Sequence, residues 1–281
     1  MGEITICTNW FDGFRKISDL DEEIIVELYV DKTPKDDVPN GYFRIIVLME
    51  PFHNLKLEML SYLRDNPNKY NYIFTYYEDI LEEFNNSILS NTPTCWVRDY
   101  TFEDKEFSVS SLVGDKHNNV HLKGLDGYLV RWDLFNDSEK INIPKKFFLS
   151  SHSPIHNLNY SGKLILGESK TPLFKSQFHI VIENTNRIKN MFTEKLVDCL
   201  QTKSIPIYYG CDNIGDFFDI NGIFIANSVS DIIDICNSLN EKTYNSMIES
   251  IEENYIRSID YISCDTSFIK QTKKIIKEIY K

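Results

Sequence analysis

The amino-acid sequence predicts an α/β protein built from two units. Short apolar β-type runs alternate with polar helical patterns through most of the chain, and the stretch Phe178–Gly210 reads as strand, polar loop, helix, short turn and strand. A length of 281 residues suffices for two domains, each able to bury a core. Hydrophobic residues at 42% and charged residues at 26% separate this composition from that of a disordered chain.

In the first hundred residues, β-branched and aromatic runs predict strands at Ile4–Thr8, Ile24–Val30, Arg44–Met49, Tyr72–Tyr76 and Thr94–Val97. Helical spacing predicts helices at Leu55–Arg64 and Glu78–Asn85, and Val30–Asn40, rich in Asp, Lys and Pro, reads as a loop. Arg98–Glu106 is a charged connector without a period. Beyond it the pattern predicts strands at Phe107–Leu112, Lys146–Ser150, Phe178–Ile182, Ile205–Tyr209 and Ile223–Ile225. Helices are expected at Gly127–Leu134, Thr193–Thr202, Ser230–Leu239 and Glu241–Asp260, with an amphipathic helix over Ser267–Lys281. The expected division is residues 1–100 for an N-terminal α/β domain, 101–262 for a C-terminal α/β domain and 263–281 for the closing helix.

A formal net charge of -12 excludes nucleic acid as an expected partner, since the overall field repels phosphate backbones. An anionic small ligand would need its own pocket of Arg, Lys and helix N-termini. No run approaches the ~18 apolar residues that span a bilayer, and the N-terminus has no basic segment followed by an apolar one, so the reading is soluble and cytoplasmic. The six scattered cysteines form no CxxC pair and the histidines no metal-ligand cluster, so neither metal nor cofactor is expected. Nothing in the sequence sets an oligomeric state.

The chemistry concentrates in Phe178–Gly210. Glu183 and Asn184 fall at the carboxyl end of a predicted strand, where open α/β sheets place ligand-binding groups. Thr193 is a candidate N-cap, with Glu194 and Lys195 in the first helical turn and Leu196, Val197 and Leu200 facing the sheet. A lysine there opposes the helix dipole unless an anion lies between them. Spacing alone leaves two readings open, a solvated first turn or a diphosphate site in which Lys195 and backbone N–H groups grip the phosphates and Glu194 accepts from ribose hydroxyls.

This block is similar to the signature region of the family 10 glycosyltransferases, the α-1,3/4-fucosyltransferases. In that family a Phe-x-x-x-x-Glu-Asn strand end is followed by Tyr-x-Thr-Glu-Lys and then by Ile/Val-Pro-Ile-Tyr-Trp-Gly. Phe178, Glu183, Asn184, Thr193, Glu194, Lys195, Pro206, Ile207, Tyr208 and Gly210 match, while Met191 stands where the family usually has Tyr and Tyr209 where it often has Trp. The resemblance spans roughly residues 44–227. It implies a soluble GT-B protein: two Rossmann-like domains facing a cleft, the donor held mainly by the C-terminal one, and a last helix that crosses back by analogy. It further implies inversion at the anomeric carbon without a metal, with GDP-fucose as donor and a glycan hydroxyl as acceptor.

Two further segments join the resemblance. Gly127-Tyr-Leu-Val-Arg131 is similar to the family's Gly-His/Tyr-x-x-Arg, whose arginine binds donor phosphate; without the family, Arg131 also reads as a surface residue of an amphipathic helix. Arg44–Leu48 is an apolar run leading to Met49-Glu50-Pro51, which places Glu50 at a strand terminus. Glu50 matches the family's proposed general base, and a carboxylate in a partly desolvated site has the chemistry to take a proton from an attacking hydroxyl. Taken alone, it is an ordinary strand-end residue. Thr75 and Tyr76, ending another strand, are further candidates for acceptor or donor contacts, as is His152 after Lys146–Ser150. The alternatives are a transferase of the same fold using another nucleotide sugar, or a carbohydrate- or nucleotide-binding protein without turnover.

Overall fold

The computed structural model describes residues 2–8, 15–20, 25–51, 53–91, 93–97, 100–114, 127–150, 164–165, 169–185 and 187–262, and in the closing stretch 270–272, 274–275 and 278. The chain divides into two compact units, Met1–Asn91 and Thr92–Lys281.

The first unit holds a six-stranded sheet. Its strands are β1 (Gly2–Thr8), β2 (Arg15–Leu20), β3 (Ile25–Val30), β4 (Tyr42–Leu48), β5 (Tyr72–Thr75) and β6 (Ser87–Leu89), in the order β2-β1-β3-β4-β5-β6. Only the β1–β2 pair is antiparallel; every other neighbour is parallel. Helix α1 (His53–Asp65) connects β4 to β5, and the short α2 (Glu78–Glu83) connects β5 to β6. The central strand explains the core: Ile45, Ile46, Val47 and Leu48 are buried together with Ile73 and Phe74, and with Met59, Leu63 and Ile80 from the helices. Such continuous burial of successive residues marks a parallel strand covered on both faces. At its start, buried Arg44 bonds Glu27 at 2.6 Å and also the carbonyls of Asp36 and Lys69, which ties the Val30–Asn40 loop to the sheet.

The second unit holds β7 (Glu106–Val113), β8 (Lys145–Leu149), β9 (Leu164–Ile165), β10 (Ser176–Ile182), β11 (Ile205–Tyr209) and β12 (Phe224–Ile225), all parallel where paired, in the order β12-β11-β10-β7-β8-β9. Counted along the chain this is 3-2-1-4-5-6 read from β9, the doubly wound arrangement, whose order reverses between β7 and β10. Its helices are α3 (Gly127–Asn136), α4 (Glu194–Gln201), α5 (Val229–Ser238), α6 (Glu241–Ser246) and α7 (Ile248–Ser258). Successive residues of β10 serve opposite faces: Phe178, Ile180 and Ile182 pack with Leu134 and Phe135 of α3 and Ile232 and Cys236 of α5, while Val181 packs with Leu196, Val197 and Leu200 of α4. Pro206 sits in β11 outside the stretch that pairs with β12, so its missing N–H leaves no gap in that ladder.

Several expected elements differ. Thr94–Val97 is not a strand: the amides of Trp96 and Val97 donate to the buried Asp198 carboxylate at 2.6 and 3.3 Å, and the Cys95 amide to the Ile262 carbonyl. Lys170 neutralises Asp198 at 2.7 Å and lies over the Trp96 ring. An apolar four-residue run can satisfy its backbone on a side chain as well as on a ladder. The helix expected over Glu241–Asp260 is broken at Met247 into α6 and α7, with Asn240 capping α6 in a box with Thr243. The strands β2, β6 and β9 are additions: β6 and β9 are short, and β2 carries no clean alternation. In the closing stretch every described residue is helical.

Two polar groups of the second unit, half-buried Lys105 and buried His179, bond to uncharged partners among the described residues. Lys105 donates to the Phe174 carbonyl at 2.6 Å and to Tyr100 and Ser204 hydroxyls at 2.9 Å, and burial pulls its ammonium down to about 8. His179 shares a hydrogen bond with Ser110 Oγ at 2.7 Å, and burial holds it neutral, down to about 3. Among the described residues no helix is long and apolar enough to cross a membrane.

Candidate functional site

The carboxyl end of β10 is fixed by a contact that only glycine permits. Gly127, the first residue of α3, donates to the Asn184 carbonyl at 3.2 Å, and a Cβ there would lie 1.8 Å from the Glu183 carbonyl oxygen. The start of α3 is thereby pressed against the end of β10, at the reversal of strand order, where open α/β sheets bind ligands. Arg131, one turn into α3, donates to Asn184 Oδ1 and lies over the Tyr128 ring at 4.7 Å. Its Nε is buried with no hydrogen-bond partner, and burial lowers the guanidinium from its ordinary range while the Tyr128, Glu183 and Glu194 charges raise it.

Glu183 is buried, and both carboxylate oxygens are in use. Oε1 accepts from the Thr193 amide at 2.9 Å and Oε2 from the Thr193 hydroxyl at 2.7 Å. Thr193 is the N-cap of α4, as expected, accepting from the Lys195 amide. The Lys195 ammonium lies 3.0 Å from Thr193 Oγ1, 3.1 Å from Glu194 and 3.6 Å from Glu183. Burial works to raise Glu194, but Lys195 and Lys170 outweigh it and hold the carboxyl below its ordinary value. Two cations and two carboxylates therefore share this strand end, and the amides of Thr193 and Lys195 are already bonded within the chain.

Tyr208 and Gly210 complete the floor. The buried Tyr208 hydroxyl accepts from the Cys211 amide at 3.0 Å, and burial raises it well above its ordinary value. A Cβ at Gly210 would meet Tyr208 at 2.5 Å and Glu183 at 2.7 Å, so this position too is held by close packing. Met191 is buried, with the Thr185 hydroxyl 3.1 Å from its sulfur.

In the first unit a second group forms where β3, β4 and β5 end. Glu50 is exposed beyond β4. Its own amide and that of Met49 donate to Asp31 Oδ2 and Oδ1 at 3.1 and 3.0 Å, while Tyr77 and Tyr76 hydroxyls donate to the Glu50 and Met49 carbonyls at 3.0 and 3.1 Å. Thr75 is fully buried, and its Oγ1 accepts from the Tyr77 amide, so it supports this turn from below. Asp31 has φ +49.

Of the residues expected from sequence, Arg131, Glu183, Asn184, Thr193, Glu194, Lys195, Tyr208 and Gly210 come together in the second unit; Glu50, Thr75 and Tyr76 come together in the first. His152 lies outside the described residues. Sequence reading missed Asp31, placed inside a loop, together with Tyr77 and the Tyr128 ring under Arg131. An Asp directly after an apolar strand was the available signal for the first. Among the described residues no three His, Cys, Asp or Glu side chains converge as for a metal ion.

No family model and no curated protein sequence matches the chain. Among solved structures it is similar to an α1,3-fucosyltransferase crystallised with GDP, at 12% identity and a TM-score of 0.50, over 89% of this chain and 77% of that one. It is also similar to an α1,3-fucosyltransferase crystallised with GDP-fucose, at 13% identity and a TM-score of 0.49, over 82% and 69%. The fold is of the GT-B type. That agrees with the expected fold class: two α/β units with parallel sheets, the second in doubly wound order.

Proposed function

We propose that this chain is an inverting glycosyltransferase whose second unit binds a nucleoside-diphosphate sugar and whose Glu50 serves as the base. The observation that carries the reading is Arg131: a guanidinium at the switch point of a doubly wound sheet, its Nε buried without an acceptor, with Lys195 one helix away. A diphosphate supplies the missing acceptor and exchanges with Glu194 and Glu183 for the Lys195 ammonium. As the sugar–phosphate bond breaks, negative charge grows on the leaving diphosphate, and Arg131 and Lys195 are fixed in place to meet it. Glu50 takes the acceptor hydroxyl proton as that oxygen attacks the anomeric carbon. Glu183 holds Thr193 and so sets the start of α4; Asn184 orients Arg131.

GDP-fucose is the donor the sequence resemblance favours, with a glycan hydroxyl as acceptor and no metal required. Arg131→Gln and Lys195→Ala should each lower transfer by about 100-fold, the order expected for losing one preorganised charge contact. Both variants would be compared with the wild type by thermal melting, since Lys195 also neutralises Glu183. Wild-type turnover in folded Lys195→Ala protein rejects the assignment, as does a strict requirement for Mn²⁺ after chelation. Thermal stabilisation by UDP but not by GDP would reject the guanosine donor and keep the reaction class.

A further inference from the structure

We infer that Asp31 is the positioning residue for Glu50, and that its ionised carboxylate, together with the Tyr76 and Tyr77 hydroxyls, holds the Met49–Glu50 turn in one geometry. The inference rests on the reading of Glu50 as the base of transfer and deepens it by adding a proton-dependent control.

β3 and β4 are parallel neighbours, so the residues that follow them emerge side by side. The Asp31 amide extends the ladder to the Val47 carbonyl at 2.9 Å, and the positive φ of Asp31 then turns the chain away. Aspartate tolerates that left-handed conformation better than most residues. Each of its two oxygens accepts one backbone amide of the turn, and each tyrosine hydroxyl donates to one carbonyl of the same two residues. All four polar groups of Met49 and Glu50 are thus gripped by side chains from the ends of the adjacent strands. The turn presents an exposed carboxylate and is followed by Pro51, which fixes the exit of the chain.

The choice of an acid for this clamp has a cost. Burial, and then the Glu50 charge, push the Asp31 carboxyl up to about 6, against the pull of its two amide bonds. The titratable groups facing it among the described residues are Glu50 from the end of β4 and Tyr76 and Tyr77 from the end of β5. Lys56 of α1 lies 4.5 Å from the Tyr77 ring centroid, but its charge is paired with Asp79 at 2.6 Å. When Asp31 takes up a proton from solvent, one oxygen gains an O–H that faces an amide donor, and that half of the clamp opens. Glu50 is then held on one side only.

The test compares Asp31→Asn, Glu50→Gln and Tyr77→Phe with the wild type. Asparagine keeps the shape and the tolerance of positive φ, but offers one acceptor and does not titrate. In the wild type the backbone amide resonances of Met49 and Glu50 should titrate together with a midpoint at about 6. That titration should vanish in Asp31→Asn and persist in Glu50→Gln and Tyr77→Phe. Turnover should fall about tenfold in Asp31→Asn and less in Tyr77→Phe, with donor KM unchanged in both, as expected when a base is misplaced and binding is not. Amides that do not titrate, or wild-type turnover in Asp31→Asn, overturn the inference. If the wild type transfers no sugar from any donor, the reading of Glu50 fails, and the amide titration still decides the clamp by itself.

Discussion

At the ends of β3 and β4, the Asp31 carboxylate accepts from the backbone amides of Met49 and Glu50, and burial, followed by the Glu50 charge, pushes it up to about 6. At the end of β10, Glu183 and Glu194 lie with Lys195 and Arg131, and Glu194 is held below its ordinary value. Both groups occupy the carboxyl ends of parallel strands, so topology alone does not separate them. The difference lies in what balances the charge. An acid balanced by dipoles alone is ready to exchange a proton near neutrality, whereas acids balanced by fixed cations stay ionised and leave the cations positioned for another anion.

Removing one acid from each group should separate the two most widely. Glu183→Ala strands the Thr193 donors and uncovers Lys195, and should destabilise the protein by about 3 kcal/mol or more, the cost of breaking a buried pair from one side. Glu50→Ala, at an exposed position, should stay within about 0.5 kcal/mol. Urea denaturation of the two variants checks this; equal losses would erase the distinction.

The two units also titrate in opposite directions. The folded-state value of Asp31 is raised from 3.8 to about 6, so its contribution to stability is fully present below 3.8 and is lost as pH rises through 6. His179 is lowered from 6.5 to about 3, so its contribution is present above 6.5 and is lost as pH falls towards 3. Each effect has a slope of up to about 1.4 kcal/mol per pH unit in its window, and the two slopes have opposite signs. Melting curves between pH 4 and 7 should therefore steepen in acid for Asp31→Asn and flatten for His179→Gln.

A smaller contrast comes from two glycines. Gly127→Ala drives a methyl into the Glu183 carbonyl and should cost about 2–3 kcal/mol together with donor binding, read by urea midpoint and nucleotide thermal shift. Gly41 has φ +80 and open space around it, so Gly41→Ala should cost about 1 kcal/mol from backbone strain alone and leave nucleotide binding unchanged.

The second site was more legible in the sequence than the first, for a physical reason. Glu183, Asn184, Thr193, Glu194 and Lys195 lie within thirteen residues on a strand end and the following helix start, so their spacing is nearly their geometry. Asp31 and Glu50 are nineteen positions apart and meet only because β3 and β4 pair in parallel, which no local pattern encodes. The same limit explains Thr94–Val97, where β-type residues bond instead to Asp198, about a hundred positions away. Buried strands such as Ile205–Tyr209 are legible because continuous apolar runs report burial directly, while Ser87–Leu89 and Leu164–Ile165 are too short to carry a period.

Lys105 gives the second unit a reporter of its own. Its depressed basicity leaves more neutral amine at physiological pH than an ordinary lysine has, which favours acylation, yet three oxygens and the surrounding burial shield the nitrogen. An amine-directed label followed by mass spectrometry should therefore modify Lys105 late, at a rate set by how often Tyr100, Phe174 and Ser204 part. The residue thus keeps time for the breathing of the sheet that carries Glu183 and Asn184, without any probe having to be introduced.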